Sequence, residues 1–509
     1  MQYFKRSISK DELIKLVDDA ADIIRTAVDY KFILVLLFLK RLSDKAMHER
    51  EKVRMMLKDK GLSNEQIEEE LEQPEYYRVY IPRSCLWDEV TRDVNNLPNN
   101  LADAINEIAK RNDYLQGVIN RVDFMEFTRN QENRELLRKL INLFNRYEFD
   151  DKVEEDIFGD AYEHILMRFA PEKAKEGEIY TPRAVIRLLV ELLEPKPESL
   201  VYDPCCGSGG MLIYSYLYVR DKYGEEQAKR LILYGQERNQ EIYAICKMNL
   251  LLHGAENVHV ESGDTLLYPK FREKEGKGIK RFDIVLANPP WNQDGYDEDA
   301  LKAAEFRDRF VYGYTPDSSA DWAWAEHMLA SAKDDGRVGL VIDNGCLFRG
   351  GREQVIRSKI LDKDLVECVI LLPEKLFYNT GAPGAILVFR KRKPTERKGR
   401  ILFINASNEY IKHPTVRRLN SLSDENIKRI VEAYKSFKDV ENFAKVVSLD
   451  KVKANDYNLN VTLYVMPADK EEEIDVVKEF EELKVLEEER RGLIERLEHY
   501  IEQIKEANR

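Results

Sequence analysis

Along roughly the first 150 residues, apolar positions recur at three- and four-residue steps, the period of helices with one buried face. Leu13, Leu16, Val17, Ala20, Ile23 and Ile24 follow Ser9-Lys10-Asp11-Glu12, a capping box in which the serine and glutamate side chains satisfy each other's orphan amides. The next segment, FILVLLFLKRLSD, is apolar on every side and predicts a helix enclosed by a bundle. EKVRMMLKDKGLSNEQIEEELEQP reads as a charged connection, and helical spacing returns in LADAINEIAKRND and ENRELLRKLINLFNRYEF. After Gly177 the pattern becomes short apolar strands separated by helical stretches: LVYDP, AKRLILYGQE, NVHVESGD, RFDIVLANPP, GRVGLVIDN, LVECVILLP and AILVFRKR. That alternation predicts an α/β fold, a doubly wound, mostly parallel sheet whose chemistry lies just past the C-terminal ends of its strands. From Asp469 onward Val476, Phe480, Leu483, Leu486, Leu493, Leu497, Tyr500 and Ile504 form one apolar stripe, interrupted by Arg490. It predicts a long helix packed either on its own chain or on a partner helix. The expected domains are a helical one over 1–150, an α/β one over 151–465 and a coiled-coil-like helix over 466–509.

Composition narrows the function. A chain of 509 residues exceeds one hydrophobic core, in keeping with about three units at roughly 100 to 200 residues each. Lys and Arg number 80 against 93 Asp and Glu, a net charge of −13, which argues against holding nucleic acid by charge alone. Any DNA contact then needs help from a partner. MQYFKRSISKDEL has no signal-peptide core, and the longest apolar run, Phe32–Leu39, is far short of the ~20 residues that span a bilayer. A cytoplasmic protein with no membrane contact is expected. Cys85, Cys205, Cys206, Cys246, Cys346 and Cys368 lack a C-x-x-C pair, so reduced thiols are expected. His164, His253, His259 and His327 show no paired ligand spacing, and no metal is expected.

The residues after successive strands carry the chemistry. Asp203-Pro204-Cys205-Cys206-Gly207-Ser208-Gly209-Gly210 is a glycine-rich strand-to-helix turn, which lets a ligand approach the backbone and offers helix-start amides to an anionic group. It lacks the lysine of a phosphate loop and the G-x-G-x-x-G of a dinucleotide site. Glu237 ends the second strand, where a carboxylate can accept both ribose hydroxyls of a nucleoside. Asp264 follows the third, suited to accept from an adenine amine. The fourth strand delivers Asn288-Pro289-Pro290-Trp291, either a turn with a core-plugging tryptophan or a rigid polar clamp.

At this tetrapeptide the sequence resembles the S-adenosylmethionine-dependent amino-methyltransferases, whose (Asn/Asp/Ser)-Pro-Pro-(Tyr/Phe/Trp) motif it matches at every position. The resemblance implies that the Asn288 side-chain oxygen and the Pro289 carbonyl accept the two hydrogens of an exocyclic amine. It also implies that Trp291 stacks on a base drawn out of the duplex. Gly177-Glu178-Ile179-Tyr180-Thr181-Pro182 looks like that family's upstream cofactor motif, with Ile179 where an aromatic is common. The same likeness puts Asp203, Gly207, Ser208, Gly209, Gly210, Glu237 and Asp264 in the cofactor site. Phe377 and Tyr378 fall in the region that holds the target base, although either ring could pack in the core.

Further matches, FILVLLFLKRLSD, VYIPRSCLWDEV, DPCCGSGGML and LPEKLFYNTGAPGAILVFRKRK, resemble the modification subunit of type I restriction-modification systems. This implies methyl transfer to N6 of adenine in double-stranded DNA, at a sequence chosen by a separate specificity subunit. A second copy of the modification subunit and a motor-nuclease restriction subunit are the other implied partners. The alternatives are cytosine-N4 methylation, methylation of an RNA guanine or a protein glutamine, and a non-catalytic DNA-clamping subunit. The basic run RKRKPTERKGR, Arg390 to Arg400, reads as a phosphate contact or as a solvated hairpin turn.

Overall fold

In the computed structural model the described residues are 6–24, 30–149, 164–165, 181–273, 276–377, 380–414 and 416–467, with parts of 483–494. The expectations for Gly177, Glu178, Ile179, Tyr180 and Tyr378, and for most of the C-terminal stripe, lie outside them. The chain divides into two compact units, Met1–Met466 and Pro467–Arg509. In the second, the described residues are helical, with Leu483, Leu486 and Leu493 more than half exposed.

Helices open the larger unit. Helix α1 (Lys10–Ile24) starts on the predicted box: Glu12 N donates to Ser9 Oγ at 3.4 Å and Ser9 N to Glu12 Oε2 at 3.1 Å. Helix α2 (Lys31–Asp59) is buried all round from Ile33 to Asp44. Its three charges inside that stretch all have partners: Lys40 pairs with Asp44, Asp44 accepts from Phe149 N at 2.8 Å, and Arg41 donates to the Phe149 carbonyl at 2.6 Å. A buried charge left alone would be far costlier than this. Helices α3 (Asn64–Glu70), α4 (Leu97–Arg111) and α5 (Gln131–Phe144) complete the layer. Its core continues into Ala244, Ile245, Met248 and Leu252 of the α/β region, so the helical layer buries one flank of that region.

The α/β region is built on nine strands: β1 (Leu200–Asp203), β2 (Ile232–Glu237), β3 (Asn257–Ser262), β4 (Phe282–Ala287), β5 (Ala332–Asp343), β6 (Val366–Leu371), β7 (Gly384–Arg390), β8 (Arg400–Asn405) and β9 (Ala444–Ser448). Their spatial order is β9-β8-β6-β7-β5-β4-β1-β2-β3. β5, β4, β1, β2 and β3 run parallel, as does β8 beside β6, whereas β7 is antiparallel to both its neighbours and β9 to β8. The sheet is therefore mixed, with its antiparallel members on the β7 side. Strand order reverses direction between β1 and β4, the topological switch point at which such sheets bind ligands.

Both faces are covered. On one lie α6 (Arg183–Leu193), α7 (Gly210–Tyr223), α8 (Gln240–Leu252) and α11 (Asp424–Ser436); on the other lie α9 (Asp321–Ala330) and α10 (Arg352–Asp362). Burial on both faces explains the mostly apolar sequences of β6 and β7, broken in β6 by the buried Glu367. Helix α6 sits so close to β5 that a Cβ on Gly339 would lie 2.6 Å from Leu189 Cδ1. Among the described residues, no helix is long and apolar enough to cross a membrane.

Candidate active site

The strand ends of β1, β2, β3 and β4 converge on one cavity of about 500 Å³, within the range of small-molecule sites. After β1 the backbone turns through Gly207 (φ +52°) and Gly209 (φ +91°) into α7, a left-handed path that favours glycine. A Cβ on Gly207 would meet nothing within 4 Å, whereas one on Gly209 would come 2.9 Å from Cys246 Sγ. One glycine thus keeps open space beside the cavity, and the other lets α8 approach the turn.

Asp203 lies beneath this turn rather than in the cavity lining. It is 2 % exposed and accepts from Cys205 N at 3.1 Å, holding the turn's shape. Burial pushes its carboxyl up to about 8, and the nearby Glu237 charge adds to the rise. Glu237 lines the cavity at the end of β2. Its two oxygens accept from Gly207 N at 3.0 Å and Asn239 N at 2.7 Å, and burial raises its pKa against the pull of these backbone donors. Asp264, past β3, accepts from Leu267 N at 3.0 Å and from the Tyr296 hydroxyl at 2.6 Å. A carboxylate oxygen carries two lone pairs, so acceptor capacity remains on both residues.

At the end of β4, Asn288 and Pro290 line the same cavity as Gly207, Ser208, Glu237 and Asp264. Thr181, from the upstream motif, reaches the tetrapeptide directly: Asn288 Nδ2 donates to Thr181 Oγ1 at 2.8 Å. Pro182 is the residue before α6, with no amide to waste at the helix start. Trp291 is half-buried and stands outside the cavity lining. Its indole N–H donates to Asn288 Oδ1 at 2.9 Å, and its ring meets Phe377 edge-on with centroids 4.6 Å apart. Phe377 is 1 % exposed, so its ring backs Trp291 from the core and does not face the cavity. Gly210 likewise opens α7 outside the lining.

Several lining residues escaped the sequence reading: Arg238, Ile242, Gln293, Tyr296 and Trp324. Arg238, Gln293 and Tyr296 follow strand ends, so the rule that chemistry lies past the strands covers them. Trp324 has no such signal; its neighbour Trp322 is fully buried core, while Trp324 Nε1 donates to Gln293 Oε1 at 3.2 Å.

Behind the tetrapeptide lies a second polar group. Asn292 adopts φ +52°, and its N–H points at both Asp321 oxygens, 3.3 and 3.2 Å away. Asp321, Cys346 and Glu353 bring their ligand atoms within 4.8 Å of one another. The Ser319 hydroxyl lies 2.6 Å from Asp321 and 2.7 Å from Glu353, and Arg349 reaches Asp321, Asp343 and Glu353. Burial raises the carboxyls of both Asp321 and Glu353. This buried network anchors the residue that ends the catalytic-looking turn.

The basic run is a different matter. Arg390 stands opposite Arg337, in the half of β5 that pairs with the start of β4, so the loop that follows lies at the end of the sheet away from the cavity. Its charges are largely paired: Arg390 and Arg397 with the buried Glu367 at 3.5 and 3.3 Å, Arg392 with Asp334, and Lys393 with Asp364. The run is not a hairpin turn, because β6 lies between β7 and β8 in the sheet and the loop crosses over it.

Residues 153–473 match the model of the N-6 DNA methylase family, and residues 13–144 match that of the HsdM N-terminal domain. The chain belongs to the type I restriction enzyme methylase subunits. It is 46% identical over 512 residues to the MjaVIII methylase subunit of Methanocaldococcus jannaschii, covering 98% of this chain and 85% of that one. It is 45% identical over 511 residues to the MjaVII methylase subunit of the same organism, with the same coverage. Among solved structures, the type I restriction-modification methyltransferase subunit from Streptococcus thermophilus aligns with TM-score 0.78 and 27% identity, covering 90% of this chain and 100% of that one. Membership makes the chain the methylation subunit of a type I restriction-modification assembly and a DNA methyltransferase by family.

Proposed function

We propose that the cavity holds S-adenosylmethionine and that the chain transfers its methyl group to N6 of an adenine drawn out of double-stranded DNA. The observation that carries this reading is that Asn288 lines the same cavity as Gly207, Glu237 and Asp264. The residues fit the cofactor: open space at Gly207, a carboxylate at the end of β2 for ribose hydroxyls, and Asp264 beside Tyr296 for an amino-bearing ring. When bound, S-adenosylmethionine supplies an electrophilic sulfonium methyl.

The chain's own residues then do the positioning. Asn288 Oδ1 and the Pro289 carbonyl accept the amine hydrogens, hold its nitrogen in line and stabilise positive charge as it develops there. A strong base is unnecessary, because the acceptors favour the ammonium before its proton leaves to solvent. Trp291 keeps part of its ring exposed next to Asn288 for stacking on the base.

The net charge of −13 supports leaving sequence readout to a separate specificity subunit. The exposed Leu483, Leu486 and Leu493 support docking of the C-terminal helix on that subunit. A second methylase subunit and a motor-nuclease subunit would complete the restriction assembly, whose nuclease the methylation keeps off host DNA. The experiment is to co-purify the chain with its specificity subunit and supply S-adenosylmethionine labelled in the methyl group, with duplex DNA, RNA and protein as acceptors. Label is expected in duplex DNA alone. Label in RNA or protein, or none although cofactor and DNA both bind, overturns the proposal.

A further inference from the structure

The Trp291 side chain makes a contact that base stacking does not require. Its indole Nε1 lies 2.9 Å from Asn288 Oδ1, while Asn288 Nδ2 lies 2.8 Å from Thr181 Oγ1. An indole nitrogen only donates, so the Asn288 atom facing it has to be the carbonyl oxygen. Rotating the carboxamide by half a turn would set the amide NH2 against the indole N–H, two donors with no acceptor between them. The rotated amide is therefore excluded for as long as the indole stays where it is.

The indole is itself held. It rests edge-on against the buried Phe377, and a Cβ on Gly384 would come 2.8 Å from both Trp291 Cη2 and Phe377 Cε2. Glycine at 384 leaves the room in which the ring is seated. On its other side, Asn292 is fixed through its backbone N–H to Asp321. Meanwhile Asn288 still borders the cavity and Trp291 does not. A carbonyl oxygen has two lone pairs, so Oδ1 can accept from the indole and from a substrate amine together.

We propose that Trp291 is a positioning residue that acts through its N–H, which locks the Asn288 carboxamide with its oxygen available to the target amine. The proposal rests on the reading of Asn288 as the amine acceptor. A freely rotating carboxamide would present NH2 to the amine for part of the time, and that orientation is unproductive. The lock removes it before substrate arrives, which raises the rate of methyl transfer without strengthening cofactor or DNA binding.

The test replaces Trp291 by 3-benzothienylalanine in the chain assembled with its specificity subunit. This side chain keeps the bicyclic shape and has sulfur in place of N–H. Single-turnover methyl transfer is measured together with cofactor affinity, DNA affinity and thermal stability. The rate is expected to fall by roughly three- to tenfold, the worth of one orienting hydrogen bond, with the other three quantities unchanged. Thr181→Val, which leaves the indole N–H in place, is expected to keep most of the rate, because a hydroxyl can donate or accept and does not by itself fix which way the amide faces. A wild-type rate for the benzothienyl protein, or a rate loss matched by lost binding or stability, overturns the lock. Asn288→Ala separates the two ideas. An inactive Asn288→Ala beside a fully active benzothienyl protein removes the lock alone, and an active Asn288→Ala removes the amine-acceptor reading beneath it.

Discussion

Two stretches stand out in the sequence for the density of their functional groups: the turn Asn288-Pro289-Pro290-Trp291 and the basic loop from Arg390 to Arg400. They lie at opposite ends of the same sheet. The turn follows a parallel strand at its C-terminal end, beside the switch point between β1 and β4, and borders a cavity. The basic loop leaves an antiparallel strand at the other end of the sheet, and most of its guanidinium and ammonium groups pair with Glu367, Asp334 and Asp364. Strand direction, more than the chemistry of the residues, decides which cluster can meet a ligand. A polar group with unspent acceptor capacity at a strand's C-terminal end is a site, and a charge run whose partners are already present is a staple.

The largest effect that separates the two is on chemistry. Asn288→Ala should lower methyl transfer by roughly a hundred- to a thousandfold, as loss of one preorganised partner does, with S-adenosylmethionine affinity retained by calorimetry. If the rate is kept, the turn is not the site. The basic loop should answer in stability instead. Glu367→Ala would leave Arg390 and Arg397 beside a vacated buried position and cost about 3–5 kcal/mol in denaturant unfolding, with the rate of the folded protein unchanged.

A smaller effect lies under the glycine turn. The Asp203 carboxyl is raised from its ordinary range to about 8 by burial, so the native state holds its proton more tightly than the unfolded chain does. Its contribution to stability is present at pH below about 4 and is lost as pH rises toward about 8. Asp203→Asn should remove that loss, so that its stability relative to wild type improves steadily from pH 4 to pH 8 and then levels off. A constant difference across that range would show that Asp203 is not held protonated by burial. The smallest effect is expected at the exposed basic residues of this loop: Lys398→Ala with Arg400→Ala should change DNA affinity by less than about twofold and leave its salt dependence unaltered.

Much of the fold was legible because it follows from which faces are buried. Seven strand segments, LVYDP to AILVFRKR, appear as β1 to β7, and FILVLLFLKRLSD is enclosed as its unbroken apolarity requires. Strand β9, whose residues alternate between buried and exposed, carries too weak a pattern to stand out. Strand direction was less legible: nothing in AILVFRKR marks it as antiparallel, because a strand buried on both faces looks alike either way. At the site, positions after strand ends picked out Gly207, Glu237, Asp264 and Asn288. What the spacing could not give was side-chain direction: Asp203 turned under its loop, Phe377 turned into the core, and Trp291 turned onto Asn288. Those depend on contacts with residues remote in the chain, such as Thr181 and Gly384.

The most direct measurement is the identity of the modified nucleoside. DNA methylated by the chain with its specificity subunit would be digested to nucleosides and analysed by mass spectrometry. N6-methyladenine, present with the wild-type chain and absent with Asn288→Ala, is the predicted result. N4-methylcytosine in its place, or N6-methyladenine at equal levels with Asn288→Ala, would contradict it.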